Sequence, residues 1–447
     1  MDLWNFMRIL KYTRSQDQNL IQKLIRRESL SLKTSTNFSN QKKTSTPEMI
    51  VEKIVDAVRR QGDSALFYYT RKFDGFQIHE HNCRVTKEEV RKATQSIPIK
   101  LKHAFQKAIK NIRRFHEQEM PRSWSKNMHG KNIEQKWVPI DKVGLYVPGG
   151  MAAYPSSVMM NVIPAQVAGV SELILATPVK KDGKVNSAVL AVAELLGVQT
   201  IFKIGGAQAI AALAYGTKSI PKVDKITGPG NIFVALAKQK IFGIAGIDGF
   251  TGPSEVIVIS DGKAYPAWIA ADLLAQAEHD VMAMPILIST SMNFLKKVFE
   301  EIERQIKNLN RKAIAEQAIR DRGALIFCKN IQQVKNLVNQ FSPEHLQIVC
   351  EDPRHWFDGI RQAGAVFLGE YTPVVFGDFI AGPNHVLPTG GSGRFSSGLS
   401  VFDFLKHINI LELKKNESFK LGLEAIYLAE SEGLTAHAQS ALFRMSR

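Results

Sequence analysis

From Val143 onward the chain alternates short apolar runs with longer helix-like segments, and this alternation restricts the fold more than any other feature of the 447 residues. VGLYV, ELILAT, TIFKI and KVDKI are strand candidates, separated by the helix candidates NSAVLAVAELLG, AQAIAALAYG and NIFVALAKQKIFG. A second series runs SEVIVIS, PILIST, GALIFC, LQIVC and GAVFLG. Strands that are apolar along their whole length and joined through helices are buried on both faces, which is the condition of parallel sheets covered by helices. The expectation is an α/β protein with two such units and helical ends. No short-period repeat points to a solenoid.

Composition narrows the class. A hydrophobic content of 45% supplies a large core. The three cysteines, Cys83, Cys328 and Cys350, show neither CxxC spacing nor an even framework, so a thiolate zinc knuckle and a disulfide scaffold are both unsupported, and a reducing compartment fits. VMMNVIPAQVAGV is too short to span a bilayer and is interrupted by Asn161, Pro164 and Gln166. The expected protein is soluble, with no membrane partner. The net charge of +16 raises nucleic acid as a ligand. Its basic runs, LIQKLIRRESLSLK and IKLKHAFQKAIKNIRRFH, carry no basic-aromatic interleaving, so they read as solvated helix faces that attract anions, and no nucleic-acid partner is expected. The first 46 residues are poor in acids and resemble a transit peptide in composition, yet DQNLIQKLIRR has the pattern of an amphipathic helix able to pack on the body. A cytoplasmic location is expected. SLKTSTNFSNQKKTSTP reads as a linker.

Glycines mark the joints between strands and helices: YVPGG at 146 to 150, IGGAQ at 204 to 208 and GPGN at 228 to 231. They allow a ligand close to backbone amides at helix starts. GxGxxG is absent, so dinucleotide binding is permitted by the architecture without its usual signature.

Two Glu-His pairs stand out. In AYPAWIAADLLAQAEHD, Ile269, Leu273 and Gln276 recur on one helical face, and Gln276 interrupts it with a buried amide that needs hydrogen bonds or a metal. His279 follows one turn later on the same side. Read alone, both residues also fit a helix end satisfied by backbone groups. SPEH reads as a helix start, with Ser342 as N-cap, Pro343 at the first position and Glu344 and His345 in the first turn, where the helix dipole would keep His345 neutral. Asp378 and His385 sit in the turn-rich segment FGDFIAGPNHVLPTGGSGRFSSGLSVFDF, and His437 follows Thr435 in SEGLTAHAQ.

VGLYVPGGMAAYPSSVMMNVIPAQVAGV, GGAQAIAALAYGT, VDKITGPGN, GPSEV, DLLAQAEHD, SPEHL, GDFIAGPNHVLPTGG, RFSSGLSV and EGLTAH together resemble histidinol dehydrogenase, in family order, from about Pro47 to the C-terminus. The resemblance implies NAD-dependent oxidation of L-histidinol through L-histidinaldehyde to L-histidine, with one zinc per subunit. A related zinc and NAD dehydrogenase acting on another amino- or sulfo-alcohol is the alternative. It assigns Gln276, His279, Asp378 and His437 as zinc ligands that also hold substrate, a thiolate-free set in which glutamine is unusual. It makes His345 the base for the alcohol and a substrate contact, and Glu344 the activator of water, leaving Glu278 a structural role. Ser254 and Glu432 are implied substrate contacts with His385 as a neighbour, and Tyr146, Gln208 and Asn231 are implied NAD contacts.

For the fold, the resemblance implies two incomplete Rossmann-like domains, one inserted in the other, plus helical N- and C-terminal tail segments. The expected boundaries are a tail at 1–46, a first domain at 47–145 and 254–399 carrying the Glu-His pair and most zinc ligands, an inserted NAD-binding domain at 146–253, and a tail at 400–447 exchanged within a homodimer that shares its active sites. Two departures from the family pattern are visible. TPVVFGDF replaces SPEAxGDY before Asp378, and the linker from Leu30 to Thr46 is longer than usual.

Overall fold

The computed structural model describes residues 7–28, 46–149, 154–249 and 252–445. Most of the long linker, and Gly150 of the YVPGG joint, lie outside the described residues. Both series of apolar runs form parallel sheets. In chain order the strands are β1 (Arg8–Lys11), β2 (Trp124–Met128), β3 (Lys131–Pro139), β4 (Lys142–Tyr146), β5 (Glu172–Ala176), β6 (Thr200–Phe202), β7 (Lys225–Thr227), β8 (Gly246–Ile247), β9 (Glu255–Ser260), β10 (Met284–Ser289), β11 (Ala324–Phe327), β12 (His345–Val349), β13 (Ala365–Leu368) and β14 (Leu405–Leu413).

The first series gives a five-stranded sheet in the order β6-β5-β4-β7-β8, and the second a six-stranded sheet in the order β1-β11-β10-β9-β12-β13, all of whose pairs are parallel. In each, the strand that opens the series lies inside the sheet and later strands add on both sides of it. β9 and β10 are buried at every residue, which is why their sequences run apolar without alternation. A separate antiparallel sheet, β14-β3-β2, joins the C-terminal segment to residues 131–139.

Packing corrects the expected domain boundaries. Helix Pro47–Gln61 places Val51, Ile54, Val55 and Val58 in one core with Ile174, Ile210 and Ile226 of the five-stranded unit. Helix Ile99–Glu117 buries Phe105, Ala108 and Ile112 on the opposite face of the same sheet, against Val143, Val158 and Val162. Residues 47–117 therefore belong with the first strand series, not with 254–399. The N-terminal helix packs on the body, as its amphipathic pattern indicates. β1 pairs with β11 as the edge strand of the six-stranded sheet, and helix Ser15–Ile25 buries Ile21 and Leu24 against it. Burying two such side chains is worth about 1.5–3 kcal/mol each, enough to fix a short helix.

SPEH is a helix stop rather than a helix start. Helix Ile331–Phe341 ends there, and Ser342 takes the left-handed conformation (φ 47°) while its N–H donates to the Val338 carbonyl at 2.8 Å. Proline disfavours a helical residue before it, and the LQIV run that follows, ending in β-branched Ile348 and Val349, pairs with β9 and β13. Glu344 and His345 thus enter a strand, and no helix dipole acts on the ring from their own segment.

Candidate active site

β9 and β12 are parallel neighbours with His345 opposite Val256, so the residue before Val256 faces the Glu-His pair. Both polar groups of the Glu255 backbone are used there. Its N–H donates to Glu344 Oε2 at 2.8 Å, and its carbonyl accepts from His345 Nδ1 at 3.0 Å. A carbonyl can only accept, so Nδ1 carries a proton and Nε2 is the atom available as a base. Glu344 and His345 are 6% and 4% exposed. His345 Nε2 has no hydrogen-bond partner and lies 3.5 Å from Asp378 Oδ1.

The electrostatics follow from burial and from these carboxylates. Burial raises the Glu344 pKa, with the His345 charge opposing it. For His345 burial acts against the charged ring, but Glu344 and Asp378 outweigh it and hold the pKa well above its usual value. The expectation of a ring kept neutral by a helix N-terminus is overturned, because His345 opens a strand rather than a helix. Asp378 is pushed down despite its burial, by His345, His385 and His279 in that order. His385 donates from Nδ1 to the Asp378 carbonyl at 2.7 Å, and burial lowers its own pKa.

Helix Pro266–Ala277 follows β9 and runs back across the sheet, bringing Gln276 to its C-terminal end, with Pro266 at the first position as its sequence indicates. It packs against helix Val374–Phe379, which carries Asp378. Gln276 is 4% exposed and its amide nitrogen has no partner. A half-turn of the amide would present the oxygen instead. Gln276 and His279 lie one turn apart at the end of this helix, and His279 is near enough to Asp378 to help lower its pKa; side chains of these types offer nitrogen and oxygen donors that suit a metal. Among the described residues no three His, Cys, Asp or Glu come together as a group that could hold a metal, and His437 and Glu432 do not complete one within the chain. His437 is exposed on helix Thr435–Met445, which packs on helix Lys415–Ser431, and Glu432 is exposed at the end of the latter. Ser254 ends the connection into β9 and is half-buried.

The residues expected at NAD gather at the C-terminal ends of β4, β6 and β7. The Tyr146 hydroxyl accepts from the Gly206 N–H at 3.1 Å, and burial pushes its pKa up to about 12, so it stays protonated. Gln208 is buried with its Oε1 unpaired. A Cβ at Gly228 (φ 116°) would collide with the Tyr146 carbonyl, so glycine is required where the GPGN turn crosses β4. Asn231 Oδ1 caps helix Ile232–Ile241 by accepting from Phe233 and Val234 N–H. Strands β4 and β7 flank the point where strand order reverses, the usual crevice for a ligand in an open parallel sheet. The Glu-His pair, by contrast, sits at the N-terminal ends of β9 and β12. The connection from β8 to β9 spans only residues 248–254, which joins the C-terminal edge of one sheet to the N-terminal edge of the other.

Sequence reading passed over Glu255, although it lies inside GPSEV, because its backbone rather than its side chain meets the Glu-His pair. It also passed over the Asp272–Gln347 hydrogen bond of 2.7 Å, which ties helix Pro266–Ala277 to β12 one turn below Gln276.

The histidinol dehydrogenase family model matches residues 38–445. A histidinol dehydrogenase of Prochlorococcus marinus is 46% identical over 415 residues, covering 92% of this chain and 94% of that protein. That of Halalkalibacterium halodurans is 48% identical over 403 residues, covering 90% and 95%. The crystal structure of histidinol dehydrogenase from Elizabethkingia anophelis superposes with a TM-score of 0.89 at 35% identity, over 99% of this chain and 98% of that one.

Proposed function

This chain belongs to the histidinol dehydrogenase family, oxidoreductases of histidine biosynthesis, and we propose on that premise that the cluster around His345 is its active centre, working with zinc and NAD. The observation that carries this reading is the tethering of Glu344 and His345 by the backbone N–H and carbonyl of one residue, Glu255, with His345 Nε2 left free beside Asp378. L-Histidinol is the substrate, and its alcohol carbon is oxidised twice. In the first step His345 Nε2 takes the hydroxyl proton while the carbon gives a hydride to NAD. In the second, water adds to the aldehyde carbon as Glu344 takes its proton, and a second hydride leaves to a second NAD. One alcohol, one water and two NAD become one carboxylate, two NADH and three protons.

Gln276, His279, Asp378 and His437 are the residues that would hold zinc. When bound, the ion supplies a fixed anchor for the substrate imidazole and amine and draws the Asp378 charge to itself. Ser254, Glu432 and His385 are placed around the substrate in this reading. Tyr146 and Gln208 form the floor of the NAD site beneath the surface, and Asn231 borders it at a helix N-terminus. The two sheets are read as incomplete Rossmann-like units whose facing edges bring nicotinamide to the Glu-His pair.

His437 and Glu432 are far along a C-terminal segment whose apolar side chains lie open: Leu411, Tyr427, Leu428 and Phe443 are each more than 60% exposed. A surface of that kind is covered in the working protein, and a homodimer with exchanged tails covers it while delivering His437 to the partner's site. Among the described residues no helix is long and apolar enough to cross a membrane. A cytoplasmic location and the absence of a nucleic-acid partner remain part of the proposal.

Two NADH for each histidinol consumed is the expected yield of purified enzyme with zinc. A yield of one with free aldehyde accumulating would defeat the four-electron reading. Turnover should also vanish on chelation and return with zinc. Full activity in metal-free enzyme would remove the four residues from their role as ligands.

A further inference from the structure

The side chain of Glu255, whose backbone tethers Glu344 and His345, is itself locked by the N-terminal segment. Arg27 lies 228 positions earlier in the chain. Its guanidinium meets the carboxylate as a fork, Nε to Oε1 at 3.0 Å and Nη2 to Oε2 at 3.0 Å. Nη2 also donates to the Phe341 carbonyl at 2.6 Å, the residue before the Ser-Pro-Glu-His run, and Nη1 donates to the Ile25 carbonyl at 2.6 Å. Glu255 Oε1 accepts a further bond from the Gly390 N–H at 3.0 Å. The carboxylate is 2% exposed, and the Arg27 side chain 18%. Arg27 holds a left-handed backbone (φ 61°), costly for arginine, and its own carbonyl accepts from Arg322.

These contacts converge on the catalytic pair from both sides. Through Glu255 the guanidinium fixes the start of β9, where the backbone N–H and carbonyl of that residue orient both catalytic side chains. Through Phe341 it fixes the turn from which Glu344 and His345 emerge. We propose that Arg27 is a positioning residue for the Glu344–His345 pair, acting through Glu255, so that the N-terminal segment is a working part of the active centre; this rests on the catalytic reading of that pair. Arginine suits the task because its planar fork satisfies both carboxylate oxygens in one geometry, whereas a lysine ammonium supplies charge without direction.

The test uses full-length zinc-loaded protein carrying Arg27→Ala, Arg27→Lys or Glu255→Gln, beside Glu344→Gln and His345→Asn as controls. Displacement of the pair by about an ångström lowers kcat about a hundredfold. Arg27→Ala should show a loss of this order in oxidation of both histidinol and histidinaldehyde, with bound zinc and the KM for NAD unchanged. Guanidinium chloride at millimolar concentration should restore part of kcat in Arg27→Ala, which has room for it, and none in Arg27→Lys. Glu255→Gln tests the same link with the arginine intact and should lose kcat without rescue. A folded Arg27→Ala protein with kcat within about twofold of wild type overturns the proposal. So does a kcat loss in Arg27→Ala that guanidinium leaves unchanged while Glu255→Gln is fully active. If Glu344→Gln and His345→Asn are themselves active, the catalytic reading falls first and this inference with it. If only the controls are dead, the pair stands and the role of Arg27 alone is refuted.

Discussion

Glu344 and His345 are adjacent in sequence, and the division of tasks proposed for them can be measured. Glu344 Oε2 is held by the Glu255 N–H, which aims the carboxylate while leaving its other oxygen free of that bond. Glu344→Gln should therefore damage oxidation of supplied histidinaldehyde by about a hundredfold or more and oxidation of histidinol to the aldehyde much less, since only the second step needs an activated water. Equal losses in the two half-reactions would assign Glu344 to both or to neither. For the residues proposed to hold zinc, the sequence showed an amide interrupting an apolar helix face. The structure adds that the Gln276 amide nitrogen is buried without a partner and that His279 is close enough to Asp378 to lower its pKa.

At the scale of elements, the site depends on the fit between helix Pro266–Ala277 and β12. Their link is the hydrogen bond from Gln347 Nε2 to Asp272 Oδ2, and burial raises the Asp272 pKa to about 6 from an ordinary 3.8. A carboxyl whose pKa rises on folding binds its proton more tightly in the folded state. Its contribution to stability is thus full below the unfolded value and is lost as pH rises through the folded one. Asp272→Asn keeps an acceptor for Gln347 and carries no charge. Relative to wild type it should gain about 2 kcal/mol between pH 4 and pH 7, discounted from the full shift because the carboxylate is only partly buried. Denaturant unfolding of both proteins at the two pH values checks this, and a difference that does not vary with pH would mean that the carboxylate is not strained by burial. Helix Ile331–Phe341 shows why SPEH reads as a start when it is a stop. Ser-Pro opens helices and also closes them, and only the pairing of LQIV with β9 and β13 decides between the two.

At the scale of the whole molecule, the proposed exchange of tails, which would bring His437 to the partner's site, has a direct test. With exchanged tails, inactive His345→Asn and inactive His437→Ala proteins, unfolded and refolded together, form about half their dimers as hybrids. One site of each hybrid then collects both lesions and the other none, so roughly a quarter of wild-type activity should return. A mixture shown to contain hybrids and to remain inactive would place both residues in one subunit. The five-stranded unit is also larger than the sequence indicated, because the helices over 47–117 cover both of its faces. Amphipathic helices show that they have a buried face without showing which sheet they bury it on.

The sequence by itself determined the class of fold, the two strand series and the helix that carries Gln276, because apolar runs and their helical spacers follow from local burial and periodicity. Its motifs also carried the family resemblance and the identities of the candidate residues. Tertiary structure alone decided that the N-terminal strand completes the six-stranded sheet, that Glu344 and His345 enter a strand, and that Arg27 and Glu255 stand behind them. Each of these is a contact between segments distant along the chain. Hydrogen bonds to a backbone amide or carbonyl leave no mark on residue type, since every residue but proline offers both groups, so the tether that orients Glu344 and His345 had no signature in the sequence.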